Sequence, residues 1–291
     1  MKTILISGAG GFLGSELVQA FFMCENVHVF ALSSQNNSLK EKYSKYENFD
    51  VVTCIPENVD LFINCVFPSN ANGEELANGL QFIANLYNEA IQKKVKSVIN
   101  VSSQSVYDQK KNMPASEKTQ CNLRTNYAVG KYAVEMMTNT VFRNIPHTNI
   151  RLASLIGIKS ELRIVNRFVK QVIEGKDLYV VADRQHYGFL DVRDAAKGLV
   201  KFASSEPVTW DEIYNLGRNE SYHLHDIART VIKIGHYYGF DSSVNIGDET
   251  GDIRDSSIEC SKFMKFINWQ AEIELEQSIH DMYKNYLGKV H

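Results

Sequence analysis

Short apolar runs alternate with longer stretches of helical spacing, and a glycine-rich stretch directly follows the first apolar run. Together these predict an α/β protein with a Rossmann-type doubly wound parallel sheet. Past residue 150 the alternation becomes irregular, yet no Pro/Gly/Ser linker interrupts the chain, so a smaller C-terminal domain is expected to pack against the first. The apolar runs are continuous rather than alternating, as in strands covered on both faces.

The elements follow in order. Residues 3–7 read as a strand, and 15–24 as a helix with Leu17, Ala20 and Phe21 on one face. Strands are expected at 27–32, 61–67, 98–102 and 148–152. Between them, 74–93 carries Leu76, Leu80, Ile83 and Ala84 at helical spacing, and 127–138 is a further helix. In the second half, 165–174, 192–204, 222–235 and 272–287 read as helices, with Ser221 as the cap of the third. Residues 240–256, rich in Asp, Gly and Ser, read as a loop on the rim of a site.

Composition excludes several classes. The 291 residues are 44% hydrophobic and 22% charged, close to a soluble globular average. Lysine and arginine number 31 against 34 acidic residues, so nothing advertises nucleic acid or an anionic membrane as a partner. The five cysteines are scattered without C-x-x-C spacing, which fits free thiols in a reducing cytoplasm. The longest apolar runs fall far short of a membrane span, and glycines break the N-terminal run before any leader-like cleavage site.

The glycine stretch carries the first functional signal. In Ser7-Gly8-Ala9-Gly10-Gly11-Phe12-Leu13-Gly14, the first glycine permits a tight turn, the second lets the backbone approach a pyrophosphate, and the third lets helix and strand pack closely. The free N–H groups at the helix start, through Phe12 and Leu13, favour phosphate. This predicts a bound NADP or NAD. After the second strand, Ser33 and Ser34 stand where an acidic residue would favour NAD and a basic one NADP. The absence of a carboxylate there leans towards NADP.

Tyr127 and Lys131 lie four apart on a helix, which stacks them on one face. A neighbouring ammonium is expected to lower the phenol pKa and fit the tyrosine for proton transfer. Tyr107 and Lys111 share the spacing, but run into a polar loop with no helix to hold it. Ser102 and Ser103 end the strand at 98–102, where ligands bind in doubly wound sheets.

These residues, with Asp60 before Leu61-Phe62-Ile63-Asn64, Asn78, Ser103-Gln104-Ser105-Val106-Tyr107, Arg151-Leu152 before Gly157, 189–194, Tyr214-Asn215-Leu216-Gly217 and Arg254 before Ser261-Lys262, resemble the extended short-chain dehydrogenase/reductase family of nucleotide-sugar epimerases, dehydratases and ketoreductases. The resemblance implies Ser103, Tyr127 and Lys131 as the catalytic triad, with Lys131 also bonding the nicotinamide ribose. It implies Asn64 and Val66 beside the dinucleotide, and Ser103, Gln104, Ser105, Tyr187 and Arg254 facing a nucleotide-sugar substrate.

The departures narrow the reaction. Where 4,6-dehydratases carry Thr-Asp-Glu, this chain has Ser103-Gln104-Ser105, without the acid pair that eliminates water. Epimerases usually have Asn at the place of Ser154 and Arg at that of Tyr187, and two alanines where Val66 and Phe67 stand. The expectation is therefore a reductase of a nucleotide-linked 4-keto-6-deoxysugar, the alternatives being a 4-epimerase with tightly bound NAD and a non-catalytic dinucleotide sensor. The domains are drawn at 1–157 plus 186–218 for the dinucleotide and 158–185 plus 219–291 for the substrate. A homodimer through the helices at 74–93 and 127–138 is implied by the resemblance. His223, His225 and Asp226 lack a third ligand placement for a metal, and Lys93, Lys94 and Lys96 suit a helix end.

Overall fold

The computed structural model describes residues 1–33, 36–68, 71–111, 113–160 and 163–288, with backbone alone at 36, 37, 182, 183, 249 and 250. Among these, seven strands form one parallel sheet. In chain order they are β1 (Lys2–Ser7), β2 (Val27–Leu32), β3 (Phe49–Val52), β4 (Leu61–Asn64), β5 (Val98–Ser103), β6 (His147–Leu152) and, after shorter strands elsewhere, β10 (Ile213–Leu216). Their spatial order is β10-β6-β5-β4-β1-β2-β3. The winding reverses between β1 and β4, the place where doubly wound sheets open a crevice for ligands.

The strand sequences explain the two-sided burial. Ile4, Ile6, Leu61, Ile63, Ile99 and Val101 enter one core, with Leu17, Val18 and Phe21 of α1 (Phe12–Phe21) and Leu199 and Phe202 of α6 (Val192–Ala203). Leu5, Phe62 and Val98, one residue out of step, enter the opposite core with Ile83, Leu86 and Tyr87 of α3 (Gly73–Gln92) and Val134 of α4 (Asn126–Val141). Period-two alternation thus divides each run between two helical layers.

On the α3/α4 side, a side-chain ladder crosses four strands, from the C-terminal ends of β1 and β4 to the middle of β5 and β6. Ser7 Oγ donates to Asn64 Oδ1 (2.8 Å), Asn64 Nδ2 to Asn100 Oδ1 (3.1 Å), and Asn100 Nδ2 to Asn149 Oδ1 (2.8 Å). Asn149 Nδ2 then donates to Asn139 Oδ1 of α4, and Tyr87 and Thr138 complete the chain. Its four strand residues are directly paired in register.

A second core gathers Val165, Phe168, Val169 and Val172 of α5 (Ile164–Ile173), Ile227, Val231 and Ile234 of α7 (Leu224–Tyr237), and Ile279, Met282 and Tyr283 of α9 (Leu275–Gly288). It packs on a small sheet of β8 (Leu178–Tyr187), β11 (Tyr222–His223) and β12 (Val244–Asp255). The pair β7 (Ser154–Ile156) and β9 (Phe189–Asp191) lies between. Helix α2 (Asn36–Tyr43) follows β2, and α8 (Ser261–Ile267) precedes α9.

Three expectations need correction. Residues 240–256 are largely strand: β12 pairs with β8 through register shifts between Gly247, Thr250 and Arg254, which let a polar, Gly-containing segment run beside its neighbour. The apolar run at 61–67 stops as a strand at Asn64, with Cys65 N still donating to Ser7 O (3.3 Å) beyond it. The cap of α7 is His223 rather than Ser221, and its side chain makes no capping bond. Ile258, Cys260, Phe263 and Ile267 join the first core, whereas Phe189 joins the second. No described helix is long and apolar enough to cross a membrane.

Asp60 clamps the start of the sheet. Its carboxylate accepts from Thr3 N (2.8 Å), Thr3 Oγ1 (2.9 Å) and Lys96 Nζ (2.6 Å). Burial pushes its pKa up, but Lys96 and Thr3 outweigh it and hold it at about 2. The stabilisation is therefore present above the ordinary carboxylate range and is lost as pH falls towards 2. Asp60→Asn is expected to lower stability by roughly 1.5–3 kcal/mol at pH 7. Urea melts of the two proteins should converge between about pH 5 and pH 2.

Candidate active site

The glycine stretch bends where β1 meets α1. Gly8 has φ of +68°, and a Cβ on Gly14 would lie 2.1 Å from the Gly8 carbonyl oxygen, so only glycine fits that contact. Gly11 caps α1 with no side-chain bond and no acidic residue follows in the first turn, which leaves the N–H groups at Phe12 and Leu13 without a side-chain cap. A helix start in that condition favours a phosphate. Beside it lies a cavity of about 520 Å³, lined by Gly8, Leu32, Ser33, Thr53, Val66, Phe82, Asn85, Leu86 and Glu89. The cavity sits at the ends of β1 to β4 against α3, and its size and largely apolar wall suit an adenosine. The group fits a dinucleotide over the adenosine and pyrophosphate half. Ser33 stands on the wall; Ser34, paired with it in the sequence reading, lies outside the described residues.

Asn64 is corrected. It is 1% exposed, and its amide is spent on Ser7, Tyr87 and Asn100, with Val66 N donating to its Oδ1 (3.3 Å). Its work is to hold the end of β4, and no polar atom is left for a ligand. Val66 does line the cavity.

The chemistry-bearing residues gather at the end of β5. Ser103 caps the short turn Gln104–Val106 and accepts from Ser105 N (3.2 Å). Thr125 caps α4 by accepting from Ala128 N, which fixes the helix start that carries Tyr127. Burial raises the Tyr127 pKa above the ordinary phenol value, opposed by a hydrogen bond with Ser103 and by the charge of Arg163. Lys131 is 6% exposed, and burial lowers its pKa to about 8. Its Nζ donates to Val101 O (3.0 Å) and lies 4.5 Å from the centre of the Phe67 ring, but 5.9 Å from that of Tyr127.

The expected lowering of the tyrosine pKa by Lys131 is therefore not what the structure shows. Ser103 and Arg163 are the groups that favour the phenolate, and burial outweighs them. Arg163, at the start of α5, was not singled out in the sequence; it stands in a polar loop with no motif around it, and only the fold brings it to the site. The rejected pair behaves as expected of structural residues. Tyr107 is fully buried and donates to Asn215 Oδ1 (2.7 Å), while Lys111 is held by Met113 O and Ser257 O.

The remaining predicted residues are placed separately. Gln104 accepts from Gln109 Nε2 (2.9 Å), and Ser105 Oγ is buried without a hydrogen-bond partner. Tyr187, at the end of β8, stacks on Phe189 and packs against the second core. Arg254 is exposed on β12, opposite Gln185 of β8. Among the described residues no His/Cys/Asp/Glu cluster has the arrangement of a metal site.

Supporting this shell is a buried network. Arg151 makes a two-bond pair with Glu135 of α4 (2.9 and 2.6 Å), whose Oε1 also accepts from Ser102 Oγ (2.5 Å). It fixes α4 against β5 and β6 through charge-assisted bonds, and thereby fixes Tyr127 and Lys131 relative to Ser103.

Fold and site together define a dinucleotide-binding α/β protein with a Ser/Tyr/Lys group at the sheet's C-terminal edge. Residues 4–217 match the model of the NAD dependent epimerase/dehydratase family, and the chain belongs to that family. A UDP-glucose 4-epimerase of Caenorhabditis elegans is 26% identical, the match covering 96% of each chain. Among solved structures, a UDP-glucuronic acid 4-epimerase of Bacillus cereus, in complex with UDP-glucuronic acid and NAD, superposes with a TM-score of 0.81 at 20% identity, covering 99% of this chain and 100% of that one. A dTDP-glucose 4,6-dehydratase of Bacillus anthracis, in complex with NAD, gives 0.80 at 17% identity over 99% and 97%. At such identities the likeness establishes the shared fold.

The lowered pKa of Lys131 carries a stability consequence. Between about pH 8 and the ordinary lysine range the unfolded chain holds a proton that the folded chain releases, so stability rises with pH there. At pH 7 the buried ammonium is a cost. Lys131→Met is expected to raise the melting temperature at pH 7 by about 2–4 °C, from a gain of order 1 kcal/mol. Melts at successive pH values should show that advantage shrinking from pH 8 to pH 10.

Proposed function

We propose that the protein is an NAD-dependent epimerase of a nucleotide-linked sugar, acting at a ring carbon that bears a secondary hydroxyl. The observation that carries this reading is the facing pair of Ser103 and Tyr127, next to a turn, Gln104–Val106, that holds no carboxylate. Elimination of water needs such an acid; exchange of a proton and a hydride does not. The end-to-end similarity to a UDP-glucose 4-epimerase favours epimerisation over the one-way reduction expected from the sequence.

A sugar hydroxyl lying between Ser103 and Tyr127 has its oxygen oriented by the serine Oγ. Tyr127, in its phenolate form, which the Ser103 hydroxyl and the charge of Arg163 favour, takes the hydroxyl proton as the C–H and O–H bonds break and the carbon becomes a ketone. The bound nicotinamide supplies the hydride acceptor and then the hydride donor. Ser103 holds the ketone oxygen, and after the sugar presents its other face Tyr127 returns the proton to that oxygen. Gly8, Gly11, Phe12, Leu13 and Gly14 hold the pyrophosphate, and Ser33 and Val66 border the adenosine. Lys131, with a pKa of about 8, exchanges its proton close to neutral pH within the same cluster. Gln104, Ser105, Arg163 and Arg254 are assigned to the sugar nucleotide.

A reductive reading keeps one specific support. The raised pKa of Tyr127 holds the phenol protonated at neutral pH, the form that donates to a ketone oxygen. The two readings separate in one assay. Protein incubated with UDP-hexoses and catalytic NAD should give the C4 epimer by NMR with no net change in reduced cofactor. Stoichiometric oxidation of NADH or NADPH on a 4-keto nucleotide sugar, without epimerisation, would replace epimerase with reductase. Tyr127→Phe should lower turnover by about 10²–10⁴-fold while dinucleotide binding stays within about twofold. Near-normal turnover in that variant would remove Tyr127 from proton transfer.

A further inference from the structure

The cavity beside the glycine turn reaches Val66 and has that residue as a wall. Val66 leans over Gly8: a Cβ on Gly8 would lie 3.3 Å from Val66 Cγ2. The next residue, Phe67, follows that wall and packs on the reacting group. Its ring meets Tyr127 edge-on at 5.2 Å between centroids and lies 4.5 Å from Lys131 Nζ. Gly130 makes room for it, since a Cβ there would come within 2.9 Å of Phe67 Cζ. Pro68 then anchors the segment on α3, its Cγ being 2.7 Å from the place of a Cβ on Gly79.

A dinucleotide that lies on Gly8 to Gly14 and delivers a hydride beside Tyr127 has to pass over this segment. The backbone is pinned on both sides, by Asn64 before it and Pro68 after it, so the chain does not retreat. The aromatic ring is the part that turns, about its own side-chain bonds. While it stays in place, the Lys131 ammonium is engaged by the ring face and by Val101 O, not by a ligand.

We infer that Phe67 is a gate at the nicotinamide end of the groove, a positioning residue that must swing aside before a dinucleotide engages Lys131 and Tyr127. The inference rests on the proposed dinucleotide groove but not on the sugar. Its consequence follows from populations: if the open state is a minor one, the apparent affinity for the whole dinucleotide falls by that fraction, whereas a ligand confined to the adenosine half is unaffected. The edge-on contact with Tyr127 and the cation contact with Lys131 are each worth a several-fold bias towards the closed state. Together they set a penalty of roughly tenfold to a hundredfold on nicotinamide-side binding.

Calorimetric titration of nucleotide-free protein with ADP and with NAD tests this, because ADP probes the adenosine half alone. Phe67→Ala should bind NAD at least tenfold more tightly than the wild type and bind ADP equally within about twofold. Phe67→Tyr, which keeps the ring, should match the wild type for both ligands. Unchanged or weaker NAD binding in Phe67→Ala, with ADP binding intact, overturns the gate. Loss of ADP and NAD binding together in that variant also overturns it, and makes Phe67 a packing support of the groove. If no form binds either ligand, the dinucleotide groove falls and the gate with it. A missing sugar activity has no bearing on these titrations, so the two readings fail separately.

Discussion

The ladder of Ser7, Asn64, Asn100 and Asn149 is the constraint on which the site depends. Each rung joins side chains on neighbouring parallel strands, so a slip of one residue in any strand would break the ladder and turn a polar group into an apolar core. Within three residues of a rung the chain delivers a working group: Gly8 after Ser7, Val66 and Phe67 after Asn64, and Ser103 after Asn100. The groups needed for the chemistry are thus placed by satisfied, buried hydrogen bonds, which lose most when one partner is removed. Tyr87 and Thr138 carry the same network into α3 and α4, and α4 brings Tyr127 and Lys131 to meet Ser103.

Around that frame, burial and charge act in opposite directions on the reactive groups. Burial raises the phenol of Tyr127 and lowers the ammonium of Lys131, so both are pushed towards neutrality. Ser103 and Arg163 oppose this at the tyrosine, and Glu135 and Cys65 oppose it at the lysine. An acid–base pair with opposing biases of this kind is suited to passing a proton in either direction, as a reaction that oxidises and then re-reduces the same carbon demands.

Much of the fold was legible because its strands are apolar runs and its first turn is a glycine signature. The strands at 27–32, 98–103 and 147–152 follow the apolar runs closely, and the helix at 73–92 follows its heptad-like spacing. Strand β12 was illegible, because Asp, Gly and Ser mark loops unless a neighbour such as β8 supplies the pairing. The placement of Ser103 at a strand end and of Tyr127 and Lys131 on one helix was legible from the sequence. The role of Asn64 was not, since a buried asparagine that completes a ladder and one that touches a ligand look alike in sequence. Arg163 and the contact of Phe67 with Gly130 are products of the tertiary fold alone, and no spacing rule connects those residues.

That last contact limits how the protein can vary. The end of Leu76 and the ring of Phe67 both occupy the volume a side chain at 130 would need, 2.6 and 2.9 Å from the place of its Cβ, so the three positions share one volume. Replacing Gly130 by alanine forces both the Leu76 side chain and the Phe67 ring to give way. Room at 130 therefore has to come from both neighbours, and shrinkage at 67 alone leaves the tighter contact in place. Descendants of this chain that carry a side chain at 130 would be expected to differ at 67 and 76 as well, and the three should drift together rather than singly.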